Sequence, residues 1–137
     1  HVPAPGKVIA EFARILKRGG KLYLTAPQQE PWHMSPYNFF NFTPDGLRLM
    51  FERAGFTVIH IIPQGCAFVL LAFVVRSLPR LLLRQHNHGA RRPFVLVAYF
   101  VSLPFFGLLF PFLLSSLDFL DRKSGHTIGN GIVAERK

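Results

Sequence analysis

The stretch PWHMSPYNFFNFT, residues 31–43, sets one histidine and two asparagines among aromatic side chains, a set that can do chemistry. His33 can serve as a general base, since an imidazole titrates near neutral pH. Asn38 or Asn41 can orient a substrate hydroxyl, and Trp32, Tyr37, Phe39 and Phe42 can wall an apolar pocket. The same residues also allow a plainer arrangement, in which the aromatics seal the end of a sheet and His33 hydrogen-bonds a loop carbonyl. His86 and His88 are spaced as a metal-binding HxH pair, but no carboxylate or thiol lies near them in sequence. A solvated basic turn is expected there, and no metal site. Cys66 is the only cysteine. It rules out an internal disulfide framework, and its apolar neighbours make it a buried, inert thiol.

The elements that must position the 31–43 stretch are legible around it. Val8, Ile9, Phe12, Ile15 and Leu16 recur on one face of a 3.6-residue repeat, which predicts a helix from about Pro5 to Lys17. Lys17 and Arg18 suit its C-terminal dipole, and Gly19 supplies a left-handed stop. KLYLTAP then alternates as a strand that Pro27 ends. Residues 28–42 form a loop too long and unpatterned for a mere connector. Thr43 as N-cap, Pro44 at the first helical position, Asp45 in the first turn and Gly55 past the end bracket a short helix. Its inner side is Leu47, Met50, Phe51 and Ala54. FTVIHIIP is nearly continuous in apolar residues, as expected of a strand covered on both faces. HTIGNGIVAERK closes the chain as a strand whose glycines weaken it or mark a bulge. In open α/β sheets ligands bind outside the carboxyl ends of strands, so the 28–42 loop is the substrate-facing segment.

A chain of 137 residues suffices for one domain with a real core. Half of it is apolar, 15 residues are Phe, and the formal net charge is +9, which favours anionic partners. Residues 66–75 are wholly apolar; Arg76, Arg80 and Arg84 then follow at four-residue steps, on one helical face. Residues 93–117 carry no charge, a run long enough for a membrane span. Residues 1–20 lack the apolar core of a signal peptide.

The order of these pieces resembles the C-terminal half of class I S-adenosylmethionine-dependent methyltransferases, of the type 11 kind. That family often writes EHVPDP after its fourth strand, LKPGGRLYLTVP around its fifth and EEAGFEV into its sixth. This chain has His1-Val2-Pro3-Ala4-Pro5, Leu16 to Pro27 and Glu52 to Val58 at the matching places, and the likeness covers residues 1 to about 62 and 125 to 137. The resemblance implies an α/β fold: the C-terminal half of a Rossmann-like methyltransferase sheet, strands five to seven, with a hydrophobic helical insertion between the last two. It divides the chain into a methyltransferase half over 1–63, the insertion over 64–124 and the closing strand over 125–137. It implies S-adenosyl-L-methionine as cofactor, with His1 near its site. The family's glycine-rich loop and acidic strand end are expected upstream of His1, because the cluster Gly125, Gly129 and Gly131 has the wrong spacing and no following helix. The resemblance makes Trp32, His33, Tyr37, Asn38, Asn41 and Phe42 the residues on the acceptor, with His33 as the candidate base. Alignment of donor and acceptor can by itself carry much of a methyl transfer.

The family's last two strands pair antiparallel, which puts both ends of the insertion on the same side of any membrane. A single span is then excluded, and the insertion either makes a full hairpin or dips in and returns. Arg76 and Arg80 at a bilayer centre would cost roughly 2.5–3.5 kcal/mol each, whereas in the interface they snorkel toward phosphates. Arg76, Arg80, Arg84, Arg91 and Arg92 form a basic rim, and Phe105, Phe106 and Phe110 enter the lipid. Pro104, Gly107 and Pro111 break the second run as in a re-entrant segment. Asp118 and Asp121 mark the exit from lipid and pair with Arg122 or Lys123. The expectation is a methyltransferase on the cytoplasmic face of a membrane, with an anionic lipid surface and a small or lipid-linked substrate as partners. Nucleic acid is not expected, because the arginines' neighbours are aliphatic and Phe-rich. The alternative is a non-enzymatic membrane-binding module on a degenerate α/β half. A third reading, two buried helices of a soluble protein, lacks the polar face an outer helix shows.

Overall fold

The computed structural model of the chain describes residues 1–85, 92–121 and 125–137, with only the backbone for 82–85. It is a mixed α/β structure of two compact units: residues 1–64 with 127–137, and residues 65–126.

The first unit is a three-stranded sheet with two helices on one face. Helix α1 runs Pro5–Ile15, strand β1 Lys21–Pro27, helix α2 Pro44–Arg53, strand β2 Phe56–Gln64 and strand β3 Gly129–Arg136. The sheet order is β1-β3-β2, with β3 antiparallel to both neighbours. The last strand of the sequence is therefore the middle strand of the sheet. Thr43 caps α2 through its hydroxyl, which accepts from Gly46 N at 3.1 Å, and Pro44 opens the first turn. Leu47 and Phe51 of α2 and Ile9 of α1 are buried on Ala26, Phe56, Ile132 and Ala134, with Phe12, Ala13 and Leu16 packed against this core. Glu11 and Arg14 form an exposed ion pair on α1, and Arg14's hydrogen bonds hold the Glu11 carboxyl below the ordinary carboxylate range.

Four sequence expectations change here. Helix α1 stops at Ile15, not Lys17, and Ile15 itself is exposed. Gly19, with φ +75°, is the third residue of a turn closed by Gly20 N donating to Lys17 O, not a helix cap. The guanidinium of Arg136 donates to the Leu16 carbonyl, so the helix end is satisfied from β3. Strand β2 is covered on one face only: Phe56 is buried and Val58 and Ile61 pack on the core, while Ile59 and Ile62 stay exposed, as does Tyr23 on β1. Among the described residues, both helices of this unit lie on the other face. The bulge falls in β2, between Val58 and His60, and not at the glycines of β3. Gly129 meets a different demand, since a Cβ there would stand 2.8 Å from the Ala26 carbonyl oxygen.

The second unit is a helical hairpin. Helix α3 runs Ala67–Gln85 and packs against a nearly continuous helix made of α4, Arg92–Ser102, a π-helical stretch Leu103–Leu109 and α5, Phe110–Ser116. A 3-10 turn, Asp118–Leu120, ends it. Pro104, Gly107 and Pro111 do not break the helix. Proline lacks an N–H and crowds the carbonyl four residues back, and the wider i→i+5 turn accommodates that loss. The 92–120 run has the length and apolarity to cross a membrane, and none of its most apolar window is buried.

Asp118 and Asp121 both accept from backbone amides at the start of α3. The Asp118 carboxylate accepts from Cys66 N, at 2.9 and 3.1 Å, and from Val69 N at 3.1 Å, and Asp121 accepts from Ala67 N at 3.2 Å. The end of the hairpin thus caps the N-terminus of its own first helix, where negative charge is favoured. Cys66 is half-buried in that cap. Their expected partners Arg122 and Lys123, together with Arg91, His86 and His88, lie outside the described residues.

Candidate functional site

At the carboxyl end of β1, residues Thr25–Pro27 sit between two adjoining cavities, of about 240 and 260 Å³. The first is lined almost wholly by apolar groups, among them Val8, Leu24, Phe42, Leu47 and Met50. The second is more polar, bounded by Thr25, Glu30, Gln64 and Gly129, and His1 lines both. The loop that follows β1 folds back on itself. Phe42 N donates to Pro27 O at 2.7 Å, and Gln28 N and Gln29 N both donate to Ile128 O.

The polar clasp behind this closure escaped the sequence reading. Asn130 is buried, and its amide donates to Gln28 Oε1 at 2.7 Å and Phe42 O at 3.4 Å. Thr127 is buried too; its N–H donates to Gln29 Oε1 and its hydroxyl to the Gly129 and Gln64 carbonyls. The local signals were an amide pair straight after a strand and an Asn between two glycines, but the partners lie about a hundred residues apart in sequence. Asn130→Ala removes the donor shared by the Gln28 side chain and the Phe42 carbonyl, which costs about 1 kcal/mol. Faster hydrogen exchange at the Phe42 and Gln28 amides is the expected readout, and unchanged exchange there counts against the clasp.

The structure brings His1 and His33 together, with ring centroids 5.0 Å apart and edge to face. His1 Nδ1 donates to Tyr37 O at 2.9 Å, which ties the start of the chain to the loop. His33 Nδ1 lies 2.7 Å from Pro31 O, an acceptor only, so it carries the proton; Nε2 is left 3.6 Å from a Glu30 carboxylate oxygen. That is the geometry of an imidazole oriented through one nitrogen with the other toward a carboxylate. Asn41 donates to Glu30 O at 3.1 Å and so serves the loop's own frame; Asn38 Nδ2 lies 3.3 Å from His33 Nδ1, which cannot accept from it while it donates to Pro31 O.

Of the aromatics expected to wall a pocket, Phe42 lines the apolar cavity. Trp32 and Tyr37 stand 76% and 61% exposed and Phe39 is exposed as well, because closure at Pro27–Phe42 leaves the loop's middle facing outward. In the second unit Arg76, Arg80 and Arg92 are exposed, and Phe105, Phe106 and Phe110 are open to the outside with Phe106 stacked on Phe110. Arg84 is described by its backbone alone. The described residues include no group of three metal-ligating side chains. They also include no glycine-rich strand-to-helix turn and no acidic strand end. They line a small apolar recess and, beside it, a more polar one. Comparison of the chain with protein-family models, curated proteins and solved structures gave no match.

Proposed function

We propose that this chain is the acceptor-binding half of an S-adenosylmethionine-dependent methyltransferase that works on a small or lipid-linked acceptor at the cytoplasmic, anionic face of a membrane. The observation that carries the reading is the antiparallel pairing of β2 with β3, from Phe56 opposite Arg136 to Gln64 opposite Gly129. It is the pairing the resemblance requires of the family's last two strands. It also sets the two ends of the intervening segment side by side, as a hairpin that enters lipid and returns needs. The outward apolar surface of the 92–120 helix supports the membrane side of the proposal. His1 and Thr25 are polar residues lining the apolar recess, with Glu30 on the polar cavity beside it and His33 against His1, and in this reading the cofactor contacts fall to other elements of the family's fold.

The test is flotation with neutral and anionic liposomes, alongside S-adenosylmethionine binding by the chain together with any sequence that precedes His1 in its reading frame. Replacing residues 65–124 with a short polar loop is expected to abolish flotation and leave cofactor binding within about twofold, since the segment removed lies in the second unit alone. Flotation of the trimmed protein sinks the anchor. A folded protein that floats without binding cofactor is a membrane-binding module rather than an enzyme.

A further inference from the structure

We propose that the cleft in the second unit between α3 and the π-helical stretch binds the phosphate group of an anionic lipid, with Arg76 and Arg80 as its ligands; this rests on the membrane reading above and gives it a specific partner. The cleft has a volume of about 420 Å³, with Arg76, Pro79 and Arg80 on one side and Tyr99, Pro104 and Gly107 among the residues on the other. Two irregularities meet there. A buried proline interrupts the hydrogen bonding of α3, and the π turn widens the opposite helix, a feature frequent at binding sites.

The charge balance points to an anion. Arg76 and Arg80 are one helical turn apart on the same face, where like charges repel. Among the described residues neither guanidinium has a hydrogen bond or ion pair. The only acidic residues in the sequence of this unit are Asp118 and Asp121, and both bind the first amides of α3. That end lies roughly 13 Å along the helix from Arg76, by the rise of 1.5 Å per residue. Two planar forks at one cleft match a phosphate's oxygens, and the Tyr99 hydroxyl is a further donor among the lining residues. The surroundings decide who carries the phosphate. Leu108 at the rim is 70% exposed, and Phe112 on the following helix is 72% exposed, a surface suited to acyl chains rather than to a dissolved ion.

The experiment is flotation of the full chain on phosphatidylcholine vesicles, with and without phosphatidic acid, for the unchanged protein, Arg76→Gln/Arg80→Gln and Arg76→Lys/Arg80→Lys. The unchanged protein is expected to prefer the phosphatidic acid vesicles, and the Gln pair to lose that preference by about thirtyfold. The Lys pair keeps the charge and lacks the fork, so it is expected to lose at least about fivefold; it also keeps the test readable if the Gln pair misfolds. A Lys pair that binds like the unchanged protein overturns the site in favour of a diffuse basic surface. Competition by inorganic phosphate at the same concentration as lipid phosphate overturns the lipid as its source. Binding to both kinds of vesicle, equal and untouched by either variant, overturns this site while the membrane reading stands. Failure to float on any vesicle overturns both.

Discussion

Phe51→Ala is expected to lower the stability of the first unit by about 3–5 kcal/mol, the usual range for removing a buried aromatic ring. Phe51 and Phe56 are both fully buried, with ring centroids 5.6 Å apart, at the centre of the contact between α2 and the sheet. Truncation there opens a cavity flanked by Leu47, Ile132 and Ala134, whose positions are fixed by a helix and by the middle strand. Little collapse is available to fill it. A unit this small has only a thin margin of stability, so the loss approaches the whole of it. Hydrogen exchange at the Ile132 and Ala134 amides reads the effect. These amides belong to the central strand and should be among the last to open in the unchanged protein. Protection unaltered by the substitution would place the core elsewhere.

Asp118→Ala is the second large effect, about 2–3 kcal/mol on the helical hairpin, from loss of charge-assisted hydrogen bonds to the Cys66 and Val69 amides. Both donors sit at the start of α3 and lose their acceptor together. Asp118→Asn keeps an oxygen and loses the charge, so its smaller cost isolates the share due to the helix dipole. Exchange at the Cys66 and Val69 amides and urea unfolding followed by helical circular dichroism check both variants. Asp118→Ala with no change in either leaves the cap without energetic weight. The same carboxylate looks unremarkable along the sequence, where its nearest charged neighbours are Asp121, Arg122 and Lys123.

Local chemistry made much of the first unit legible. Thr43-Pro44-Asp45 starts a helix because a hydroxyl, a fixed φ and a negative charge all suit the exposed amides of a first turn. KLYLTAP and FTVIHIIP were readable as strands from their composition and boundaries, and the apolar 93–117 run announced a surface that an ordinary core does not absorb. In the candidate site, the position of the 31–43 loop after β1 was legible from chain order. The orientation of its side chains was not: Phe42 turns inward while Trp32 and Tyr37 turn out, because the loop closes on the Pro27 carbonyl and is clasped from β3.

The sequence by itself determined which segments are helices and strands, where the charge lies and how apolar the intervening segment is, since these follow from neighbours within a few residues. Only the tertiary structure decided that the last strand takes the middle of the sheet, that Asn130 and Thr127 hold the loop, and that Asp118 caps a helix begun about fifty residues earlier. Each of these joins satisfies a buried or terminal backbone group. Such a group requires a partner in space, and nothing in the residues beside it says from where along the chain that partner will come.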